Sequence, residues 1–243
     1  MRIHFIVHEY FEAPGAYEQW AKAKGHNITF TQLYKGERLL EDCDLIDFLI
    51  VMGGPQSPST TPAESHYFDS VGEQRVIRDA INKGKVVIGV CLGSQLIGEA
   101  LGAHHQQSPQ KEIGKFPIVL TPAGQSHPLF SHFGSLVEVG HWHNDMPGLT
   151  EQAQIIAYSE GCPRQIVAYS DRVYGFQCHM ELTTEVVAML IENSTADLNL
   201  ASQYPFVETA EQLRQHDFQD MNDRLFSFLN KLEEHYKIQL RIK

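Results

Sequence analysis

Basic residues are scarce in this chain. Nineteen Lys and Arg stand against thirty Asp and Glu, a formal net charge of −11. So acidic a protein has no general electrostatic attraction for nucleic acid or for an anionic membrane surface. Long apolar runs are missing as well, and nothing approaches the roughly 18–20 residues that span a bilayer. The opening MRIHFIVHEY lacks the charged–apolar–small order of a secretory signal and reads as a first strand. Cysteine is sparse: Cys43, Cys91, Cys162 and Cys178 form no CxxC and no paired spacing. That usage fits a reducing, cytoplasmic setting. There is no internal repeat, low-complexity segment or linker. No glycine turn is followed by G-K-[ST] and no G-x-G-x-x-G occurs, which removes both common nucleotide-phosphate loops.

What remains is an ordinary globular composition, with 42% hydrophobic residues in 243, enough for one sizeable α/β core. Strand-like runs alternate with helical ones in the first half. Ile3–Val7, Asn27–Leu33, Asp47–Gly54 and the run KVVIGVC ending at Cys91 are the strands. Gly15–Lys24, Glu64–Asn82 and LGSQLIGEAL from Leu92 are the helices. The apolar strands are nearly continuous, as in a parallel sheet covered on both faces. After Ala103 the texture changes. Phe116–Thr121, Ser135–His143, Gln154–Glu160, Arg164–Ser170 and Arg172–His179 follow one another with turns between them, which predicts antiparallel additions. A helix is expected over Thr183–Asn193. Phe218, Met221, Leu225, Phe228, Leu229 and Leu232 recur at helical spacing in the tail, the pattern of a helix laid on the core; an exposed stripe there would instead suit a partner. The expected fold is α/β, an open, mostly parallel sheet with flanking helices. Residues 1–195 form the main domain, and 196–243 a helical extension packed on it.

Chemistry concentrates at Gly89-Val-Cys-Leu-Gly93. The pattern has the form of a G-x-S-x-G nucleophile elbow with sulfur for oxygen. A nucleophile on a sharp strand-to-helix turn needs flanking glycines, because side chains there would collide. A helix starting at Leu92 aims its dipole and free N–H groups at the thiol, favouring thiolate and offering the Leu92 N–H to an oxyanion. The plain structural alternative is a buried cysteine in a glycine-rich turn. Gly53-Gly54-Pro55, closing the third strand, can bring backbone N–H groups close to a ligand, or can be a simple turn. His179 and Glu181, two apart, supply a base and its orienting acid, or are two of many polar residues. In a doubly wound sheet all three elements fall at strand carboxyl ends, where ligands bind. His141 and His143 share a strand face, but sequence spacing puts no carboxylate or cysteine with them. His104 and His105 point to opposite faces. No metal and no cofactor is expected.

From about Phe48 to Glu181 the chain resembles the class I (triad) glutamine amidotransferases. The resemblance rests on Gly53-Gly54-Pro55, on Gly89-Val-Cys-Leu-Gly-Ser-Gln95 and on Gly175-Phe-Gln-Cys-His-Met-Glu181, in that order. Within the family it is most similar to stand-alone members like the amidotransferase domain of GMP synthase. His141-Trp-His-Asn-Asp145 resembles the loop that contacts the amino-acid end of glutamine. The resemblance implies a flavodoxin-like fold and a Cys91–His179–Glu181 triad. It implies an oxyanion hole of Gly53 or Gly54 with Leu92, and substrate contacts from Gln95, Trp142, His143, Asn144 and Asp145. Two positions depart from the pattern: Ser94 where histidine is usual and Met180 where proline is usual. Three readings stay open. The first is glutamine hydrolysis by a glutaminase subunit or stand-alone amidotransferase serving an unknown acceptor, a separate synthetase subunit being one candidate partner. The second is hydrolysis of γ-glutamyl conjugates by the same triad, and the third a silent binding protein. Oligomeric state is not encoded in these patterns.

Overall fold

The inner strands are apolar on both sides because two cores lie against them. The computed structural model describes residues 1–199 and 201–242. In chain order the strands are β1 (Arg2–Val7), β2 (Asn27–Gln32), β3 (Phe48–Val51), β4 (Val86–Val90), β5 (Gln106–Leu120), β6 (Leu136–Met146), β7 (Gln154–Tyr158), β8 (Ile166–Ser170), β9 (Val173–Phe176) and β10 (Phe206–Val207). The helices are α1 (Ala16–Ala23), α2 (Ser70–Asn82), α3 (Leu92–Ala100), α4 (Pro122–Ser126), α5 (Thr184–Asn193), α6 (Thr195–Leu198), α7 (Ala210–Arg214) and α8 (Gln219–Ile242).

One sheet runs β10-β5-β7-β8-β9-β4-β3-β1-β2, with β6 paired to β5 outside that path. From β2 through β9 the pairings β1–β2, β1–β3, β3–β4 and β4–β9 are parallel. The pairs β8–β9, β7–β8, β5–β7 and β5–β6 are antiparallel. This is the expected mixed α/β sheet. Alternation along the strands sorts side chains between the two cores. Ile3, Phe5, Phe48, Ile50, Val86 and Ile88 face α1 and α8. Ile6, Leu49, Val51 and Val87 face α2 and α3, meeting Val76, Ile77, Leu96 and Ile97. The stripe of α8 is buried: Phe218, Met221, Leu225, Phe228, Leu229 and Leu232 all join the first core, and Phe228 stacks on Phe130 at 4.8 Å. Among the described residues no helix is long and apolar enough to cross a membrane.

Three boundaries differ from the sequence expectation. Helix α2 begins at Ser70, not Glu64, because Asp69 caps it by accepting a hydrogen bond from the Gly72 N–H at 2.9 Å. The strand expected over Phe116–Thr121 starts ten residues earlier, at Gln106. Its polar first half, with Pro109, carries no strand-like pattern. It is held as a ribbon by pairing with β6, with a register shift between Gln107 and Glu112. The segment after 195, expected to be helical, also adds β10 to the sheet edge beside β5.

Candidate active site

Cys91 closes β4 and caps α3 at φ 50°, ψ −110°, and is the sole non-glycine residue with positive φ among those described. A bulky residue held there stores backbone strain of roughly 1–3 kcal/mol. The glycines explain why the turn is possible at all. A Cβ on Gly89 would lie 2.3 Å from the Gly93 carbonyl oxygen, and one on Gly93 would lie 2.1 Å from that of Val51. Both contacts are to backbone, which cannot yield. The Cys91 N–H donates to the Phe176 carbonyl at 2.7 Å, tying the elbow to β9.

β9 leads directly to His179. Past its end, His179 exchanges two backbone hydrogen bonds with Gly140 of β6, at 2.8 and 3.1 Å. Its Nδ1 lies 2.6 Å from Glu181 Oε1, with both side chains buried. Burial opposes a charge on the ring. The Glu181 carboxylate and the Cys91 thiol more than offset it and hold the His179 pKa well above its usual value. Nε2 makes no closed hydrogen bond among the described residues; Cys91 lies close enough to the ring to raise its pKa, while the Cys91 Sγ itself is 3.8 Å from the Trp142 carbonyl oxygen. The backbone carbonyls on and beside Glu181 are all partnered. Glu181 O accepts from Ala16 N–H at 2.9 Å. The carbonyls of Met180 and Leu182 both accept from Asn222 Nδ2 of α8, at 2.7 and 3.1 Å. Met180, at the position where proline was expected, is fully buried. Ser94, at the expected histidine position, donates to the Cys91 carbonyl at 2.8 Å.

Gly53 and Gly54 follow β3 and reach the same strand-end edge. Among the described residues the N–H groups of Gly53, Gly54 and Leu92 have no acceptor, although Gly53 and Leu92 are buried. Free donors clustered beside a thiol are what an oxyanion site requires. A Cβ on Gly53 would meet Glu12 Oε2 at 2.6 Å and Cys91 Cβ at 3.4 Å. The glycine therefore makes room for the Glu12 carboxyl, whose pKa burial pushes up against the lowering pull of His179. No sequence motif pointed to Glu12.

Cys91, Gly54 and Glu12 open onto a pocket of about 330 Å³ whose lining also includes Gln95, Trp142, His143, Asn144 and Asp145, whereas His179, Glu181, Gly53 and Leu92 lie outside its lining. All five expected substrate-contact residues thus line one cavity with the thiol, together with Gly54. Gln95 Nε2 is held by Gln177 Oε1 at 3.2 Å, and Trp142 Nε1 donates to Ser194 Oγ at 3.2 Å. The far wall carries Asn193, Ser194 and the Lys111–Asp197 ion pair.

The His141–His143 pair needs a correction. Sequence spacing offers it no carboxylate, yet the β5–β6 register sets Glu112 opposite His143. Glu112 Oε2 lies 3.3 Å from His143 Nε2 and 3.7 Å from His141 Nδ1, all buried. The spacing suits metal ligands. Among them lies the amide nitrogen of Gln165, 2.6 Å from Glu112 Oε2 and 3.2 Å from each ring nitrogen. Burial presses the His141 pKa down to about 4 against the pull of Glu112, so its ring is neutral at pH 7. Its Nε2–H donates to the Phe116 carbonyl at 3.2 Å and its Nδ1 accepts from Gln165. The cluster is a hydrogen-bonded knot that fixes the backbone of Trp142–Asp145.

Comparison with known proteins identifies the family and the fold. The chain belongs to the class I glutamine amidotransferase family, whose model matches residues 19–196. It is 55% identical over 232 residues to a glutamine amidotransferase-like protein, YfeJ, of Salmonella typhimurium, covering 96% of this chain and 97% of that one. It is 28% identical over 148 residues to a glutamine-hydrolyzing GMP synthase subunit of Methanococcus maripaludis, covering 60% of this chain and 70% of that one. Among solved structures, SMU.1228c superposes with a TM-score of 0.94 at 49% identity, over 96% of this chain and all of that one. A Thermotoga maritima glutamine amidotransferase shares the fold, with a TM-score of 0.80 at 23% identity over 96% of this chain and 97% of that one.

Proposed function

We propose that the chain hydrolyses the side-chain amide of glutamine through a γ-glutamyl thioester on Cys91. The observation that carries this reading is Cys91 at φ 50° on a glycine-flanked turn, interacting with the side chain of a Glu181-bound His179 whose Nε2 is otherwise unpartnered among the described residues. His179 takes the thiol proton as sulfur adds to the amide carbon. It then gives that proton to the departing nitrogen, and ammonia leaves. Water enters, His179 accepts one of its protons, and hydroxide adds to the thioester carbon. Collapse expels the Cys91 thiolate, which recovers the proton, and glutamate is released. Glu181 holds the ring and its charge in each step. The N–H of Leu92 and that of Gly53 or Gly54 take the oxyanion; losing one such donor costs about 2.7–4 kcal/mol of transition-state stabilisation. Gln95, Trp142, His143, Asn144 and Asp145 seat the amino-acid end. No residue of the scheme calls for a metal or cofactor, and a separate synthetase subunit is the natural consumer of the ammonia.

A second reading, hydrolysis of γ-glutamyl conjugates, is favoured by the pocket's extension past Cys91 to Asn193, Ser194 and Lys111, which leaves space for an amine larger than ammonia. The experiment that separates them is a release assay with purified protein, glutamine and γ-glutamyl dipeptides. Ammonia from glutamine as the faster product supports the first reading, and faster amine release from the dipeptides supports the second. A folded protein that turns over neither contradicts both and leaves the binding role.

A further inference from the structure

A second buried histidine–glutamate pair contacts the glycine turn, and the reaction scheme leaves it without a role. His8 follows β1 and is fully buried, as is Glu73 on α2. His8 Nδ1 is 2.9 Å from the Gly53 carbonyl oxygen, and Nε2 is 2.8 Å from Glu73 Oε2. A carbonyl oxygen only accepts, so Nδ1 carries a proton and donates it. Burying two such groups is costly unless each is bonded. The bond they converge on is to a single peptide unit.

That peptide joins two glycines, which have the widest backbone freedom of any residue pair. In a trans peptide the C=O and the following N–H point to opposite sides. Holding the Gly53 carbonyl toward His8 therefore turns the Gly54 N–H away from His8. Gly54 lines the pocket with Cys91, and its N–H has no acceptor among the described residues. The space on the His8 side is closed: a Cβ on Gly54 would meet His8 Cβ at 3.0 Å and Leu92 Cδ2 at 3.1 Å.

We propose that His8, anchored by Glu73, is a positioning residue that locks the Gly53–Gly54 peptide so that the Gly54 N–H faces the acyl oxygen on Cys91. The inference rests on the hydrolase reading and goes beyond it by choosing Gly54 as the strand-end donor and naming what aims it. His8 moves no proton in the reaction, since both its nitrogens are engaged.

The test compares His8→Leu, His8→Asn and His8→Gln in the full chain. Asparagine places an N–H where Nδ1 lies, whereas glutamine places one near Nε2. Three readouts are taken: ammonia release from glutamine, inhibition by a γ-glutamyl aldehyde, and alkylation of Cys91 by iodoacetamide. The aldehyde adds to the thiol and puts a tetrahedral oxygen in the hole; alkylation needs no such site. His8→Leu and His8→Gln are expected to lose about 10²-fold in kcat with KM within about threefold. Both should bind the aldehyde about 10²-fold more weakly and alkylate at near wild-type rates. His8→Asn should stay within about tenfold of wild type in all three. If leucine beside buried Glu73 prevents folding, the Asn–Gln difference decides. Equal losses in Asn and Gln, unchanged kcat in a folded His8→Leu, or alkylation falling in step with kcat overturns the assignment. Wild-type protein that turns over no γ-glutamyl compound overturns the hydrolase reading itself, and this assignment with it.

Discussion

Two buried His–Glu pairs in the molecule differ in how their ring nitrogens are satisfied. His179 has Nδ1 on Glu181 and a free Nε2, whereas His8 has Nδ1 on a carbonyl and Nε2 on Glu73. An imidazole with one open nitrogen can carry a proton between a thiol and a substrate. One with both nitrogens bonded can only hold what it touches. In the proposed scheme the same pair of residue types therefore carries a proton at His179 and holds a peptide at His8, and whether the second nitrogen is satisfied decides between them.

Breaking the open pair should cost most. His179→Asn keeps the fold but removes the proton carrier, and we expect γ-glutamyl hydrolysis to fall at least about 10³-fold in steady-state kinetics. The same substitution at His8 should cost less than about tenfold. If the two losses are equal, the contrast between the pairs is wrong.

The platform they share is the next target. Gly93→Ala sets a methyl 2.1 Å from the Val51 carbonyl oxygen. Overpacking against backbone should lower stability by about 3 kcal/mol, measured as a reduced urea midpoint with unchanged slope.

Buried neutral histidines make the fold acid-sensitive, in contrast to His179, whose pKa is raised by the Glu181 carboxylate and Cys91 despite burial. Burial holds both His4 and His141 down to about 4. The unfolded chain binds protons that these two rings refuse, so their stabilising contribution is complete above about pH 6.5 and is lost as pH falls through 4. For His141 the window corresponds to something on the order of 3 kcal/mol. His179 runs the other way: its raised pKa gives stability that is full below about pH 6.5 and fades as pH rises through the folded value. Urea midpoints across pH 4–7 should fall on the acid side, and His141→Asn should flatten that slope.

The smallest effect is expected at Asn222→Leu. The variant leaves the carbonyls of Met180 and Leu182 unpartnered, costing about 2 kcal/mol, and loosens Glu181 between them. Activity should drop by less than the loss at His179, in a protein whose thermal midpoint is also lowered.

The sequence was legible where one physical rule dominates. The parallel half announced itself through strands apolar on both faces, and the amphipathic tail through its spacing. The glycine-flanked turn at Cys91 and the Gly53-Gly54 approach were legible because strain and close backbone contact leave few residue choices, whereas His179–x–Glu181 stood out only through the joint resemblance to a known family. Other features depended on contacts between distant segments. The first half of β5 is polar, so its pairing with β6 is invisible in pattern, and the partnership of Glu112 with His141 and His143 went unseen with it. Asn222 is one polar residue on a long helix, and its two carbonyl partners lie some forty positions away. His8 and Glu12 were findable in principle: they lie just past the carboxyl end of β1, and strand carboxyl ends are where a doubly wound sheet places its site.

The central claim is that Cys91 alone among four cysteines is an acyl acceptor. All four are free and buried. Burial drives the thiol pKa of Cys43 up to about 12 and that of Cys162 to about 11, and holds that of Cys178 well above its usual value. Mass spectrometry after incubation with a glutamine-derived diazoketone reads this directly. One adduct on Cys91, absent from Cys91→Ala, with the other three thiols unmodified, is the expected result. An unmodified Cys91, or the same labelling in Cys91→Ala, would contradict the account.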